Sequence, residues 1–248
     1  MIKFFSKIRY NLMSQNKTGR YIKYAFGEII LVVIGILLAL QINTWNQNRL
    51  DDLERKQIIK NLNTEFKQNK KQLLDIVASY EKAKKSSLAL MDFVGLDKEK
   101  PIVKKEIDSL IDKMFTVVDY LPSNNAINDI IQSGKLKSLG NSKLSTKLSD
   151  WQSLIYICAS REEKIEHWIF VEVLPYLDKY ISQRDVGVAG NYNWSTPGKL
   201  PTNYEYIFTD LEFENILENY LFFVNECHRR YLETVELVEE IIVMTNES

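Results

Sequence analysis

Two cysteines and two histidines are all that the 248 residues hold of the softest ligands and strongest nucleophiles. That scarcity excludes a disulfide-stapled scaffold and a zinc module, for which neither the count nor the spacing is present. Cys158 and Cys227 fall on apolar helical stripes, where a free cysteine acts as a small hydrophobe. Buried thiols are expected there, although an exported location would permit a disulfide. His167 and His228 have Lys164 and Asn225 three residues before them, so the Glu-x-x-His pairs of di-iron bundles are missing. Glu163 lies one turn before His167, yet Ile165 and Ile169 define the apolar face and leave His167 off it, as a solvated residue and not a ligand. No phosphate-binding glycine loop, no serine or cysteine elbow and no plausible pair of catalytic acids occurs. The expectation is therefore a protein that is not an enzyme, with no catalytic residues, no cofactor and no metal.

Acid is absent before Glu28, while Lys3, Lys7, Arg9, Lys17, Arg20 and Lys23 supply six cations. They precede an apolar run from Ala25 to Ile42, broken only by Glu28 and Gln41. About 20 apolar residues match a hydrocarbon core of roughly 30 Å, and short basic flanks stay on the cytoplasmic side. Beyond Ile42 there are 26 basic and 32 acidic residues, so the part expected outside carries −6 against +6 in the first 27 residues. Nucleic acid is an unsuitable partner for that acidic, exported portion. A cleaved signal peptide competes with the anchor, but its apolar core is about 7 to 15 residues followed by small residues, and Leu38, Leu40 and Ile42 fit such a cleavage site badly.

Aromatic side chains mark the two headgroup levels: Tyr21 and Tyr24 inside, Trp45 outside. A helix rises about 31 Å from Tyr24 to Trp45. Ahead of the span, Ile2, Phe5, Ile8 and Leu12 share one face, as in a short helix lying in the interface, with a disordered basic tail as the alternative. The expected organisation is a cytoplasmic amphipathic segment (1–23), a transmembrane helix (24–45), a helical stalk (46–58) and a periplasmic helical bundle (59–248).

Neither glycine nor proline occurs between Gly35 and Gly95, so nothing local interrupts the helix as it leaves the bilayer. From Ile59 the apolar positions Leu62, Phe66, Leu73, Ile76, Tyr80, Ala83, Leu90 and Val94 recur in steps of three and four, with Asn69 and Ser87 filling the gaps. Gly95 to Pro101 stops and restarts the chain. Ile107, Leu110, Ile111, Met114 and Val118 then line a helix near 102–119, and Asn125 to Gln132 makes a short helix. Asn141 or Ser142 caps a long one through Leu144, Leu148, Trp151, Ile155, Cys158, Ile165 and Ile169, which Pro175 should kink or end near Val171. The last helix, from about Asp210, carries Phe213, Leu217, Tyr220, Val224, Cys227, Tyr231, Val238 and Ile241. The fold class is all-α, an antiparallel bundle.

Residues 183–203, with Gly187, Gly190, Gly198, Pro197 and Pro201, read as one irregular loop, and Tyr192 and Trp194 make it the candidate partner surface. The plainer alternative is that both rings tuck the loop onto the bundle.

The run Tyr24-Ala25-Phe26-Gly27-Glu28-Ile29-Ile30-Leu31-Val32-Val33-Ile34-Gly35-Ile36, continued through Ala39-Leu40-Gln41-Ile42-Asn43 to Trp45-Asn46, resembles the opening of a group of single-pass envelope proteins of Bacteroidetes-type bacteria. Ser133-Gly134-Lys135-Leu136 and Glu212-Phe213-Glu214-Asn215 are similar to that group's later motifs. The resemblance implies an N-terminal anchor and a helical extracytoplasmic domain, and it supplies no activity to carry onto residues.

Glu28 needs a physical account, since a carboxylate in hydrocarbon is costly at the centre and less so near an end. It shares a face with Val32, Gly35 and Ala39, and the last two form a small-xxx-small pair that lets helices approach. Snorkelling, helix association in a homo-oligomer and proton binding are the three readings. The functional expectation is a scaffold or adaptor in the bacterial inner membrane that meets an unknown envelope protein. The alternatives are a subunit of a proton-coupled complex using Glu28, and a small-molecule-sensing bundle that acts through a partner.

Overall fold

The computed structural model describes Tyr10 and residues 18–95, 101–115 and 120–246. The expected amphipathic face of Ile2, Phe5, Ile8 and Leu12 lies outside them, as does Val118. Among the described residues there are helices and connecting turns and no strand.

Helix α1, Thr18–Met91, is one uninterrupted element, as the lack of glycine and proline after Gly35 requires. The chain divides into two compact units, Met1–Gln57 and Ile58–Ser248, and α1 contributes to both. In the first unit α1 is the main element. Its apolar stretch contains the one window among the described residues that is long and apolar enough to cross a membrane, and no part of that window is buried. Leu31, for instance, is 65% exposed.

The second unit begins on the seam. Ile59, Leu62, Phe66, Asn69, Leu73, Ile76, Tyr80, Ala83, Ser87 and Leu90 are all buried, polar gap-fillers included. Past Met91 the helical register is lost, so the buried residue is Phe93, while Val94 is half-buried. Helices α2 (Lys104–Met114) and α3 (Asn125–Gln132) follow, then a 3-10 turn, Lys135–Leu139. α2 is shorter than the apolar periodicity suggests.

Asn141 caps α4, Ser142–Trp168, its side-chain oxygen accepting from the Leu144 N–H at 3.0 Å. Pro175 neither breaks the chain there nor leaves it regular. It has no N–H to donate to Val171 and its ring crowds that carbonyl, and the helix widens into a π turn, Ile169–Val173, before resuming as α5, Leu174–Leu177. The Leu174 N–H reaches back to the Ile169 carbonyl, five residues earlier.

The segment 183–203 is not a single loop. Gln183–Ala189 forms helix α6, and the irregular part is reduced to 190–203 before the short α7, Tyr204–Ile207. Gly187 is the misleading residue: its place is inside the helix, where a Cβ would collide with Ser195 Oγ. The final helix, α8, is Leu211–Asn246.

Residue pairs fix the directions. Asn63 meets Thr245 and Tyr80 stacks on Tyr231, so α8 runs antiparallel to α1. Cys158 meets Thr234 and Trp168 donates to the Ile216 carbonyl, so α8 also runs antiparallel to α4. Phe66 packs edge-on against Trp151 at 5.1 Å. Two polar side chains of α1 receive the crossing segment. Asn69 Nδ2 donates to the Ser123 carbonyl at 2.8 Å and Oδ1 accepts from its N–H at 3.0 Å. One turn earlier, Glu65 Oε2 accepts from Ser123 Oγ and from the Ala126 N–H at the start of α3.

Candidate functional site

Three places gather the chemistry-bearing residues. In the first unit, Glu28, Val32, Gly35 and Ala39 lie along one face of α1. Val32 and Ala39 are exposed, Glu28 is half-buried, and a Cβ on Gly35 would meet no atom within 4 Å. Tyr24 and Trp45 are exposed at either end of the apolar stretch, while the side chain of Tyr21 lies outside those described. That face is smooth and uncovered, a geometry suited to packing on another apolar surface.

The second place is the turn after α6. Asp185 joins it to α2: its carboxylate takes an ion pair from Lys104 Nζ at 2.7 Å and accepts the Gly198 N–H at 2.7 Å. Those two bonds, the lysine's first, hold the Asp185 carboxyl below its ordinary range. Burial opposes the charge on Lys104, but bonds to Asp185, Asp108 and the Tyr204 hydroxyl outweigh it and keep the ammonium protonated well above the usual range. Tyr204 in turn donates to Asp108. Further along, Arg184 binds both the carbonyl and the hydroxyl of Thr196. Asn191 adopts φ 60°, a conformation asparagine tolerates. Gly190 and Gly198 are crowded by Asp112 and Ser182, where a Cβ would collide. Tyr192 donates its hydroxyl to Asp112. The loop is thus fixed at many points.

On this fixed loop the two aromatic residues differ in degree. Tyr192 is 46% exposed and tied to α2, whereas Trp194 is 77% exposed and touches Tyr192 at a ring separation of 5.2 Å. Leu200, nearby in sequence, is 83% exposed. Tucking describes Tyr192 in part and does not describe Trp194.

The third place is internal: Tyr80 and Tyr231 are seam positions, and Glu162 is a charged residue at the open step of the α4 stripe between Cys158 and Ile165. Tyr80 of α1 and Tyr231 of α8 stack at 5.6 Å, and both hydroxyls turn to Glu162 Oε1 of α4, at 3.5 and 2.5 Å. Tyr120 stands edge-on to Tyr231 and Trp151, its hydroxyl buried without a hydrogen-bond partner. Burial drives Tyr80, Tyr120 and Tyr231 far above the normal phenol range. The same burial pushes the Cys158 thiol up to about 11 and the Cys227 thiol up to about 12. Both cysteines are free. Cys158 sits opposite Thr234, so it is offset from Cys227 by about 10 Å along α8, beyond the roughly 7 Å reach of a disulfide. Protonated thiols and phenols are weak nucleophiles, and the phenols, unlike the weakly donating thiols, are good hydrogen-bond donors. The cluster therefore clips three helices in register.

His167 is exposed. His228 lies 3.6 Å from Glu81, and burial, more than offsetting that carboxylate, holds its imidazole below the ordinary value. Among the described residues no three His, Cys, Asp or Glu side chains gather as a metal site.

The class these features define is an all-helical protein with one long apolar N-proximal helix and a buried, seam-packed bundle. The chain belongs to a family of unknown function (DUF6090), which it matches over residues 28–166. That match spans most of the apolar stretch, the α1 seam and most of α4. No curated protein and no solved structure matches the chain.

Proposed function

We propose that this protein is a scaffold or adaptor anchored in the bacterial inner membrane by residues 24–45, with its N-terminus cytoplasmic and its bundle periplasmic. The bundle holds or spaces another envelope protein through protein–protein contact, and the Glu28, Val32, Gly35 and Ala39 face associates copies of the chain in the bilayer.

One observation carries the reading: a loop secured on every side nevertheless leaves Trp194 77% exposed. Burying an aromatic side chain removes about 150–250 Å² from water, and tryptophan and tyrosine are the residues that most often dominate protein interfaces. A loop held rigid in advance loses little entropy when a partner arrives. The orientation is supported by the six cations before Glu28, and the anchor by an apolar window with no intramolecular cover.

The test is in vivo crosslinking with a photoreactive side chain at Leu200, in membranes resistant to carbonate washing. A discrete envelope protein crosslinked from Leu200, and lost on Trp194→Ala, is the expected result. Release of the chain by carbonate, or an identical pattern with Trp194→Ala, would overturn the proposal.

A further inference from the structure

We infer that residues 43–57 of α1 pair with the same residues of a second copy of this chain, as a parallel, in-register coiled coil. The inference rests on the reading of an anchor whose copies associate in the bilayer, and it carries that association out into the stalk. Between Trp45 and Ile58 the only apolar side chains are Leu50 and Leu53, and both are exposed on an unbroken helix. They stand three residues apart, the step from position a to position d of a heptad. Extended in sevens through Leu50, the a column runs Ile22, Ile29, Ile36, Asn43, Leu50 and Gln57. Through Leu53, the d column runs Ala25, Val32, Ala39, Asn46 and Leu53. Neither column holds a charged residue, whereas every other heptad frame places Arg49, Asp51, Asp52, Glu54 or Arg55 in the seam. Val32 and Ala39 of the bilayer face belong to the d column, so span and stalk share one seam.

The charges beside the leucines select what covers them. In this frame Arg49 falls at position g and Glu54 at the following position e. In a parallel pair of helices, g of one lies against the next e of the other. Arg49 of each copy therefore meets Glu54 of its mate, and the two-fold axis makes the pair twice. Lys56, the next residue at g, has Asn61 as its e position, so no like charge opposes it. Asp51, Asp52 and Arg55 fall at b, c and f, away from the seam. There Asp51 accepts from Gln47 at 2.9 Å and Arg55 pairs with Asp52 at 3.0 Å, within one helix. Arg49 reaches only Asn46 of its own helix, by an exposed bond of 3.4 Å. Asn43 and Asn46 are the kind of polar seam residue that fixes register in coiled coils, and each amide both donates and accepts toward its copy. Lipid does not serve Leu53, which rises about 12 Å past Trp45, beyond a headgroup layer of about 5–8 Å. Chains anchored in the same sense meet parallel, as the charge pairing requires. Two leucines per helix make a short seam in water, but confinement to one bilayer raises the effective concentration at which the copies meet.

The experiment uses the full chain in native membranes, with single cysteines introduced along the stalk and oxidised by copper phenanthroline. The unaltered chain, whose Cys158 and Cys227 are buried, serves as the blank. Leu50→Cys and Leu53→Cys are expected to give a disulfide-linked dimer. Asn48→Cys, Asp52→Cys and Arg55→Cys, which face outward beyond the roughly 7 Å that a disulfide spans, should give little. Asn46→Cys repeats the test with both leucines in place. In that background Arg49→Glu should lower the dimer roughly twofold to tenfold, and adding Glu54→Arg should restore it. Equal crosslinking at every position, a maximum on the outward positions, no rescue by the charge exchange, or a crosslink to a different protein overturns the inference. Ala39→Cys separates the two failures. A dimer there with none at any stalk position leaves association in the bilayer standing and removes the coiled coil. No dimer at Ala39→Cys or in the stalk removes both.

Discussion

Helix α1 uses the same residue types in two opposite ways. Between Ala25 and Ile42 its leucines, isoleucines and valines cover the whole circumference and stay exposed, while from Ile59 onward most keep to one stripe and are buried, with Leu74 and Leu88 exposed off it. In the first region apolar surface on all sides has no buried face to prefer, which is what the proposed anchor in lipid requires. In the second the stripe is narrow enough for α4 and α8 to cover it. Composition alone does not distinguish a membrane span from a bundle helix; the angular spread of the apolar residues does.

The contrast can be broken most completely in the first region. Arg at both Ile34 and Leu37 adds about 5 to 7 kcal/mol to insertion on translocon scales, and the chain should move from the carbonate-resistant pellet to the supernatant. Thermal unfolding of the bundle should not change. In the second region, Trp151→Ala removes a fully buried indole packed on Phe66 and Tyr120, and a loss of about 3–5 kcal/mol in urea unfolding is expected.

Alkaline pH should sharpen the difference further. Cys158 and Cys227 titrate near 8.5 when unfolded but are pushed up to about 11 and about 12 in the fold. The stability tied to their protonated forms is complete below pH about 8.5. It is lost as pH rises from there toward the folded values, at about 1.4 kcal/mol per pH unit and thiol. Urea midpoints should fall between pH 8 and pH 11, and Cys158→Ala with Cys227→Ala should flatten the slope that remains below pH 10, before the buried tyrosines add theirs. A smaller effect belongs to Asn69→Ala. It strands the N–H and carbonyl of Ser123 and should cost about 1–3 kcal/mol by the same assay. Least of all, Trp194→Ala should shift bundle stability by no more than about 0.5 kcal/mol, so that any effect on partner capture is read without unfolding.

The seam is legible in the amino-acid order because each of its members follows from the last by three or four residues, and even Asn69 and Ser87 keep the register. What the order of residues leaves hidden has two causes. Glu162 pairs with Tyr80 and Tyr231, partners 82 and 69 residues away, and although it fills the three-four step between Cys158 and Ile165 on α4, that step alone does not name the hydroxyls it meets. Only the relative slide of three helices brings that carboxylate to two hydroxyls. Glu65, similarly, reads as a polar flank of the seam, and its place under α3 depends on where residues 120–126 cross. The other cause is glycine's double meaning. Gly187 signals a break in sequence, yet it sits within α6 because Ser195 leaves no space for a side chain. Trp194 stands out by its place in a glycine- and proline-rich stretch, but its fixed setting comes from Asp185, Arg184 and Tyr192, each bonded to a residue that sequence proximity alone does not select.

The Glu162 clip makes the bundle a gauge of set length. From Ile58 to Met91, α1 measures about 50 Å at 1.5 Å per residue. Cutting one heptad from this helix alone would slide Tyr80 roughly 10 Å away from its carboxylate, and Asn69 away from Ser123 with it. Matching cuts in α4 and α8 would be needed to restore both. Any change in span therefore demands three coordinated deletions, and single insertions or losses in this stretch should be poorly tolerated even where they preserve the apolar repeat.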